Sequence, residues 1–270
     1  MTSGRTDIPP QAITPRSVAP DSRAGASFDP VTAGRRLLHE SRIAALSTLD
    51  PGGFPYGIMT NVMPDADGSP VFLAARIALH ARNLAQDNRA SLCWAALEGA
   101  DALTGPRMTL SGLAQPVDAG AQEALRHRYL ARFPKARLYL QLPDALFFRL
   151  QITAVNIGGG PARNAGAVTF AQLGHHGAGR LLGADEAQLL QKLNRDPALI
   201  AGLVANTLRL RKGAAQTAWQ RRRWTMVALD PDGFDLACSS RILRGEFAQP
   251  VSEPEGYGAA LKLLLSGHNG

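Results

Sequence analysis

The sequence has 270 residues, of which 45% are hydrophobic and 19% are charged, and its formal net charge is +7 at pH 7. This length and apolar content can bury a core in one large domain, or in a main domain with a smaller partner. Two cysteines far apart in the chain exclude a disulfide framework, and the absence of a long apolar run excludes a membrane span.

The first 30 residues are rich in proline, serine and glycine and lack the apolar core of a secretory signal. We therefore predict a disordered or draped N-terminal arm and a cytoplasmic location.

The predicted elements of the first half are short strands with a few helices between them. Asp29 and Pro30 mark a helix start, and turn signals at 50–53 and 65–68 separate the first strands. The predictions are helices at 31–40, 78–86 and 118–132, and strands at 42–49, 54–63, 70–75, 90–97, 107–117 (bent at Gly112) and 147–157. This order favours an α+β fold built on a β-barrel over a βαβ sandwich.

The composition changes after Ile157, where a segment rich in glycine, alanine and histidine begins. Beyond this segment the predictions are a helical stretch at 185–210 broken at Pro197, strands at 224–229, 234–237 and 242–247, and a helix at 255–266. We predict an arm at 1–30, a split-barrel domain at 31–168, a linker at 169–182 and a small α+β C-terminal domain at 183–270.

Basic residues surround the start of the helix at 78–86. Arg76 precedes the helix, and His80 and Arg82 lie in its first turns. The unpaired N–H groups and the dipole of a helix N-terminus favour an anion, so this corner is a candidate phosphate or carboxylate site; the alternative is a set of solvated charges. His39 and His127 are expected on solvated helix faces.

Several motifs around this corner occur in the order and spacing of one family. They are HxxNL at 80–84, DxRASL at 87–92, RxTLxG at 107–112 and the glycine-rich VNIGGGPARNAGAV at 155–168. With the hairpin before them, they resemble the pyridoxamine 5′-phosphate oxidase-like, FMN-binding split-barrel family. Within it the chain is most similar to the haem-utilisation branch, whose members carry a small C-terminal domain.

The resemblance implies a homodimer of split barrels with a cofactor cleft at each subunit boundary. It also implies an FMN-binding, oxidoreductase-like function connected with haem utilisation. The backbone of the second strand would follow the flavin ring, the corner would hold the phosphate, and a residue of the fifth strand would contact the flavin. The implied cofactor-binding residues are Ile58, Met59, Thr60, Ala75, Arg76, His80, Arg82 and Arg107; no catalytic side chain is predicted.

Two alternatives stay open. Ala78 and Leu79 stand where flavin-binding members have phosphate ligands, which favours a haem-binding or haem-degrading protein on the same barrel, with His175 and His176 as candidate iron ligands. The second alternative is a non-enzymatic dimer that binds an acidic partner, such as RNA, through the basic residues from Arg209 to Arg223. Because a charge run is more typical of a solvated face, no nucleic-acid partner is expected.

Overall fold

The computed structural model describes residues 28–96, 104–160, 164–165, 168–174, 182–210 and 219–266. Two antiparallel sheets organise this part of the chain. The first contains β1 (Ile43–Leu49), β2 (Pro55–Pro64), β3 (Pro70–Ala75), β4 (Arg89–Ala95), β5 (Arg107–Pro116), β6 (Ala145–Gly158) and β7 (Asn164–Ala165). The second contains β8 (Thr225–Asp230), β9 (Gly233–Cys238) and β10 (Arg241–Glu246).

The first sheet closes into a barrel of six strands. Its order is β3-β2-β1-β4-β5-β6-β7, and an additional pairing of β3 with β6 joins the ends. The β5–β6 register shifts between Ser111 and Gly112, where a Cβ atom would collide with the carbonyl of Gln151. The predicted bend at Gly112 is therefore confirmed, and a bulge of this kind helps a sheet to curve and close.

Eight α-helices with both ends inside the described ranges accompany the sheets. They are α1 (Pro30–Glu40), α2 (Leu79–Gln86), α3 (Ala119–Arg132), α4 (Arg137–Leu140), α5 (Phe170–Leu173), α6 (Glu186–Leu193), α7 (Pro197–Arg209) and α8 (Gly256–Ser266). The side chain of Asp29 accepts hydrogen bonds from the backbone N–H groups of Val31 and Thr32, which confirms the predicted start of α1. The predicted break at Pro197 separates α6 from α7.

The predicted fold class, an α+β split barrel with a small second sheet, is confirmed. One apolar cluster fills the barrel, a second lies between α3 and the barrel wall, and a third lies between the second sheet and helices α6 to α8. The last barrel strand is longer at both ends than predicted, and α4, α5 and β7 were missed because each is four residues or fewer. The domain boundaries stay a prediction, and residues 1–27 of the expected arm lie outside the described residues.

A buried charge cluster joins the barrel helices α1 and α3 to the second sheet. Nδ1 of His39 lies 3.1 Å from a carboxylate oxygen of Asp235, and Arg132 donates to the other oxygen at 3.0 Å. Arg244 donates to Asp230 and Asp235, and Arg128 donates to Glu186. The expectation of a solvated His39 is therefore wrong, because the second sheet covers this face of α1 and leaves the residue only 1% exposed.

Burial and charge act against each other at Asp235. Desolvation alone would raise the pKa of the carboxyl, but His39, Arg244 and Arg132 together hold it well below its usual range. Burial also disfavours the charged form of Arg132 and lowers the pKa of its guanidinium to about 10, although the charge of Asp235 opposes this shift. The cluster is therefore a mutually dependent set in which each buried charge needs its partners.

Candidate cofactor cavity

A cavity of about 380 Å³ opens beside β2, β3 and the first turn of α2. We name it the α2 cavity, and its volume falls in the range of about 300–1,000 Å³ that is typical of small-molecule sites. Among the residues that the structure describes, its walls are mostly apolar or aromatic and include no lysine or arginine. They are formed by Ile43, Ile58, Met59, Thr60, Asn61, Leu73, Ala74, Ala75, His80, Tyr129, Tyr139, Leu142 and Ala145.

His80 is the ionisable group of this wall with the most useful chemistry at neutral pH. It is half-buried, and desolvation lowers the pKa of its imidazole below the ordinary 6.5. At pH 7 the ring is therefore neutral and has a free lone pair on one nitrogen. This side chain suits metal ligation better than pairing with a phosphate.

Tyr129 reaches the cavity from α3. Burial raises the pKa of its phenol to about 12, while a hydrogen bond with the Asn61 side chain and the charge of Arg42 oppose the shift. The phenol is therefore protonated at physiological pH. Sequence analysis missed Tyr129 because its spacing with Leu125 and Phe133 reads as an ordinary apolar stripe of a helix.

The structure brings together some of the residues predicted for the cofactor site and separates others. Ile58, Met59, Thr60, Ala75 and His80 line the α2 cavity. Three other predicted residues do not. Arg76 and Arg82 line a larger groove of about 1,450 Å³ on the other side of α2, and Arg107, at the start of β5, lines neither.

The separation of His80 from Arg82 has a simple geometric cause. Successive helical residues are about 100° apart, so side chains two positions apart point to nearly opposite faces. His80 lines the α2 cavity, while Arg82 lines the groove. The cavity and the groove share Ala145, so the arginines lie beyond one edge of the cavity.

Other candidates lie outside this site. His175 and His176 fall outside the described residues. Within the described ranges, no cluster of three or more His, Cys, Asp or Glu side chains is placed to hold a metal ion. None of the described helices is both long enough and apolar enough to cross a membrane.

Comparison with known proteins identifies relatives of the barrel and of the whole chain. Residues 29–160 match the family model described as CREG, beta-barrel. The solved structure of Atu2129 from Agrobacterium tumefaciens, a protein of unknown function, has 37% sequence identity and a TM-score of 0.74, and the match covers 89% of this chain and 97% of that one.

Two further relatives have names that mention haem. The chloroplastic non-canonical heme oxygenase HOZ of Arabidopsis thaliana is 34% identical over 139 residues, which are 51% of this chain and 42% of that protein. This chain thus spans about two fifths of that relative. A heme binding protein from Mycobacterium smegmatis has 24% identity and a TM-score of 0.51 over 90% of this chain and 98% of that one, a likeness that shows the shared fold.

Proposed function

Because the chain belongs to the CREG β-barrel family of split-barrel proteins, we propose that it binds haem in the α2 cavity, where His80 would be a ligand of the iron. The observation that carries this proposal is a half-buried, neutral histidine in an uncharged cavity. The Arabidopsis relative, which is named a heme oxygenase, supports the choice of cofactor. Bound haem would supply redox chemistry at its iron.

The cavity wall supplies what the porphyrin and the iron need. Neutral imidazole is the commonest protein ligand of haem iron, and the lowered pKa keeps His80 in this form. Ile43, Ile58, Leu73 and Leu142 give the apolar surface that a flat macrocycle requires. Tyr129 is protonated, so it does not compete with His80 as a tyrosinate ligand.

The neighbouring groove supplies cations for the acidic edge of the ligand. Arg76 and Arg82 are exposed there, and Ala145 belongs to both walls. Guanidinium groups pair well with carboxylates because two parallel N–H donors meet two oxygens. Haem propionates directed across Ala145 would therefore find basic partners outside the cavity.

A flavin is the second candidate, and one observation favours it. Ile58, Met59 and Thr60 of β2 line the α2 cavity, and the family resemblance implies that a flavin ring would lie along this strand. Within the described part of the chain no arginine or lysine lines the cavity, so we expect the FMN phosphate to depend on Arg76 and Arg82 in the groove. FMN would need cations for its phosphate, whereas haem would need a neutral ligand for its iron. An FMN-dependent oxidoreductase and a haem-binding protein would therefore use different side chains around this cavity.

The test is a pair of absorbance titrations of the purified protein, one with haemin and one with FMN. We expect a saturable Soret band with haemin. His80→Ala should lower haemin affinity at least tenfold, or about 1.4 kcal/mol, and change the ligand-field bands because an iron ligand would be lost. His127→Ala is the matched control, because His127 is exposed on α3 and does not line the cavity.

The possible outcomes separate the candidates. Tight FMN binding without a specific Soret band would show that the cofactor is a flavin and not haem. An unchanged spectrum and affinity in His80→Ala would overturn the assignment of the ligand. If haem binds, loss of the Soret band after addition of a reductant and oxygen would extend the function to haem degradation.

A further inference from the structure

One end of the second sheet gathers basic side chains that are scattered in the sequence. Arg241 begins β10 and pairs with Cys238, while Thr225, at the same end, is separated from the arginine run 221–223 only by Trp224. Asn194 exchanges two hydrogen bonds with the backbone of Met226, which fixes the C-terminal end of α6 here as well. We name this end the basic surface; its members are Lys192, Arg195, Arg221, Arg222, Arg223 and Arg241.

The members of the basic surface are all exposed. The nearest acidic side chain in sequence, Asp196, is also exposed, and its carboxylate accepts a hydrogen bond from the backbone N–H of Leu199. The acidic residues Glu246 and Glu253 lie toward the opposite end, where Glu246 pairs with Gly233 and Val251 donates to the Pro231 carbonyl. The second sheet is therefore polarised from a basic end to an acidic end.

Tryptophan side chains hold part of this surface in place. The guanidinium groups of Arg222 and Arg241 lie 4.8 Å and 4.7 Å from the ring centroid of Trp219. Trp224 is buried, and its indole N–H donates to the carbonyl of Trp219 at 2.9 Å. A cation–π contact orients the plane of a guanidinium group without using its N–H donors, so Arg222 keeps its donors for a ligand.

From this arrangement we propose that the basic surface binds the phosphate backbone of single-stranded nucleic acid without sequence preference. Closely spaced arginines match a chain of regularly spaced phosphates better than they match one small anion. Because two guanidinium groups occupy Trp219, recognition rests on phosphates and not on base stacking.

The position of exposed apolar residues favours a nucleic acid over an anionic membrane. In the described part of the chain after residue 181, the exposed large apolar side chains are Leu210 and Leu263. Leu210 follows the 13-residue helix α7, about 20 Å from its start beside the basic surface. Asn206 donates to the carbonyl of Leu264, so Leu263 lies near that far end too. A membrane-binding face would place apolar and basic residues side by side.

This inference is independent of haem binding and contradicts the expectation of a merely solvated charge run. The sequence shows the triplet 221–223 but hides Lys192, Arg195 and Arg241, which only the fold brings to it. Arg209, grouped with the run in the sequence, lies at the far end of α7.

The test measures the affinity of the full chain, with and without haemin, for a fluorescent single-stranded RNA of mixed sequence across a salt series. We expect affinity to fall steeply with salt. Arg221→Gln/Arg223→Gln should weaken binding at least fivefold at low salt and reduce the slope of log affinity against log salt by about 1.4. The matched control is Arg209→Gln/Lys262→Gln, which removes the same charge from exposed positions at the other end of α7.

Three results would overturn the proposal: no RNA binding at low salt, an equal loss in both double variants, or binding to vesicles of anionic lipid that exceeds binding to RNA. Circular dichroism of each variant checks that the fold is kept. Binding of RNA with no haem bound supports the inference even if the proposed cofactor is wrong.

Discussion

At the scale of single residues, the environment of His80 favours a neutral imidazole over a cation. A histidine at a helix N-terminus could serve as a cation for a phosphate, and the resemblance to flavin-binding proteins implies that role. Burial in the α2 cavity instead favours the neutral ring. The burial of His80 therefore supports the proposed role of iron ligand over the role of phosphate binder that the resemblance implies.

A titration of His80 tests this interpretation directly. We expect NMR of the histidine ring protons to give a pKa below 6.5 for the signal that disappears in His80→Gln. With a lowered pKa in the folded protein, the unfolded chain binds this proton at a higher pH than the folded protein does. The free energy of unfolding should therefore decrease as pH falls through 6.5 toward the folded pKa of His80. Haemin affinity should fall over the same range, because protonation removes the lone pair. A pKa at or above 6.5 would contradict the neutral-ligand argument.

At the scale of elements, the buried charge cluster connects α1 and α3 with β8, β9 and β10. Removing one member leaves the others charged and buried without compensation, which typically costs about 3–5 kcal/mol. Asp235 is the centre, because His39, Arg132 and Arg244 all contact its carboxylate. The cluster therefore couples the second sheet to the barrel energetically.

We expect Asp235→Asn to lower the free energy of unfolding at pH 7 by about 3–5 kcal/mol in urea denaturation. The wild-type contribution is complete above the ordinary aspartate pKa of 3.8 and is lost as pH falls through the lower folded pKa. The control Glu123→Gln removes a carboxylate from an exposed ion-pair cluster on α3 and should change stability by less than about 1 kcal/mol. Equal effects of the two substitutions would show that the cluster contributes no special stability.

How far the sequence predicts these elements depends on the range of the forces involved. The start of α1 at Asp29, the bend at Gly112 and the break at Pro197 follow from local backbone chemistry, and all three are observed. The burial of His39 depends on Asp235, which lies 196 residues away, so no local pattern predicts it. Arg76 and Arg82 were grouped with His80 by sequence distance alone, whereas helix geometry sends Arg82 and His80 to opposite sides of α2.

At the scale of the whole molecule, the mouth of the α2 cavity is unusually apolar for a surface that faces water. Met59 and Tyr139 in its wall are 68% and 64% exposed, and Ile43 and Leu142 are also exposed. Leu138, next to Tyr139 on α4, is 73% exposed. Contiguous exposed apolar side chains mark an interaction site more often than a free surface.

We propose that a second copy of the chain covers this surface. The split-barrel resemblance implies a homodimer through the barrel with a cofactor cleft at each boundary, and the α2 cavity opens on this same apolar face. A partner barrel would cover Met59 and Tyr139 and exclude water from a ligand beside His80. The dimer would thereby raise the affinity for an apolar cofactor.

Light scattering coupled to size-exclusion chromatography tests this arrangement. We expect twice the mass of one chain for the wild type, and a shift toward the monomer for Leu138→Glu, because Leu138 is exposed in a single chain but would be desolvated in the dimer. Leu263→Glu, a change of the same kind on α8, should leave the dimer intact. Leu138 does not line the cavity. Weaker haemin binding by Leu138→Glu would therefore result from loss of the partner chain and not from loss of a direct contact between Leu138 and haemin. A wild-type monomer at all concentrations would contradict the dimer and leave the cavity mouth open to water.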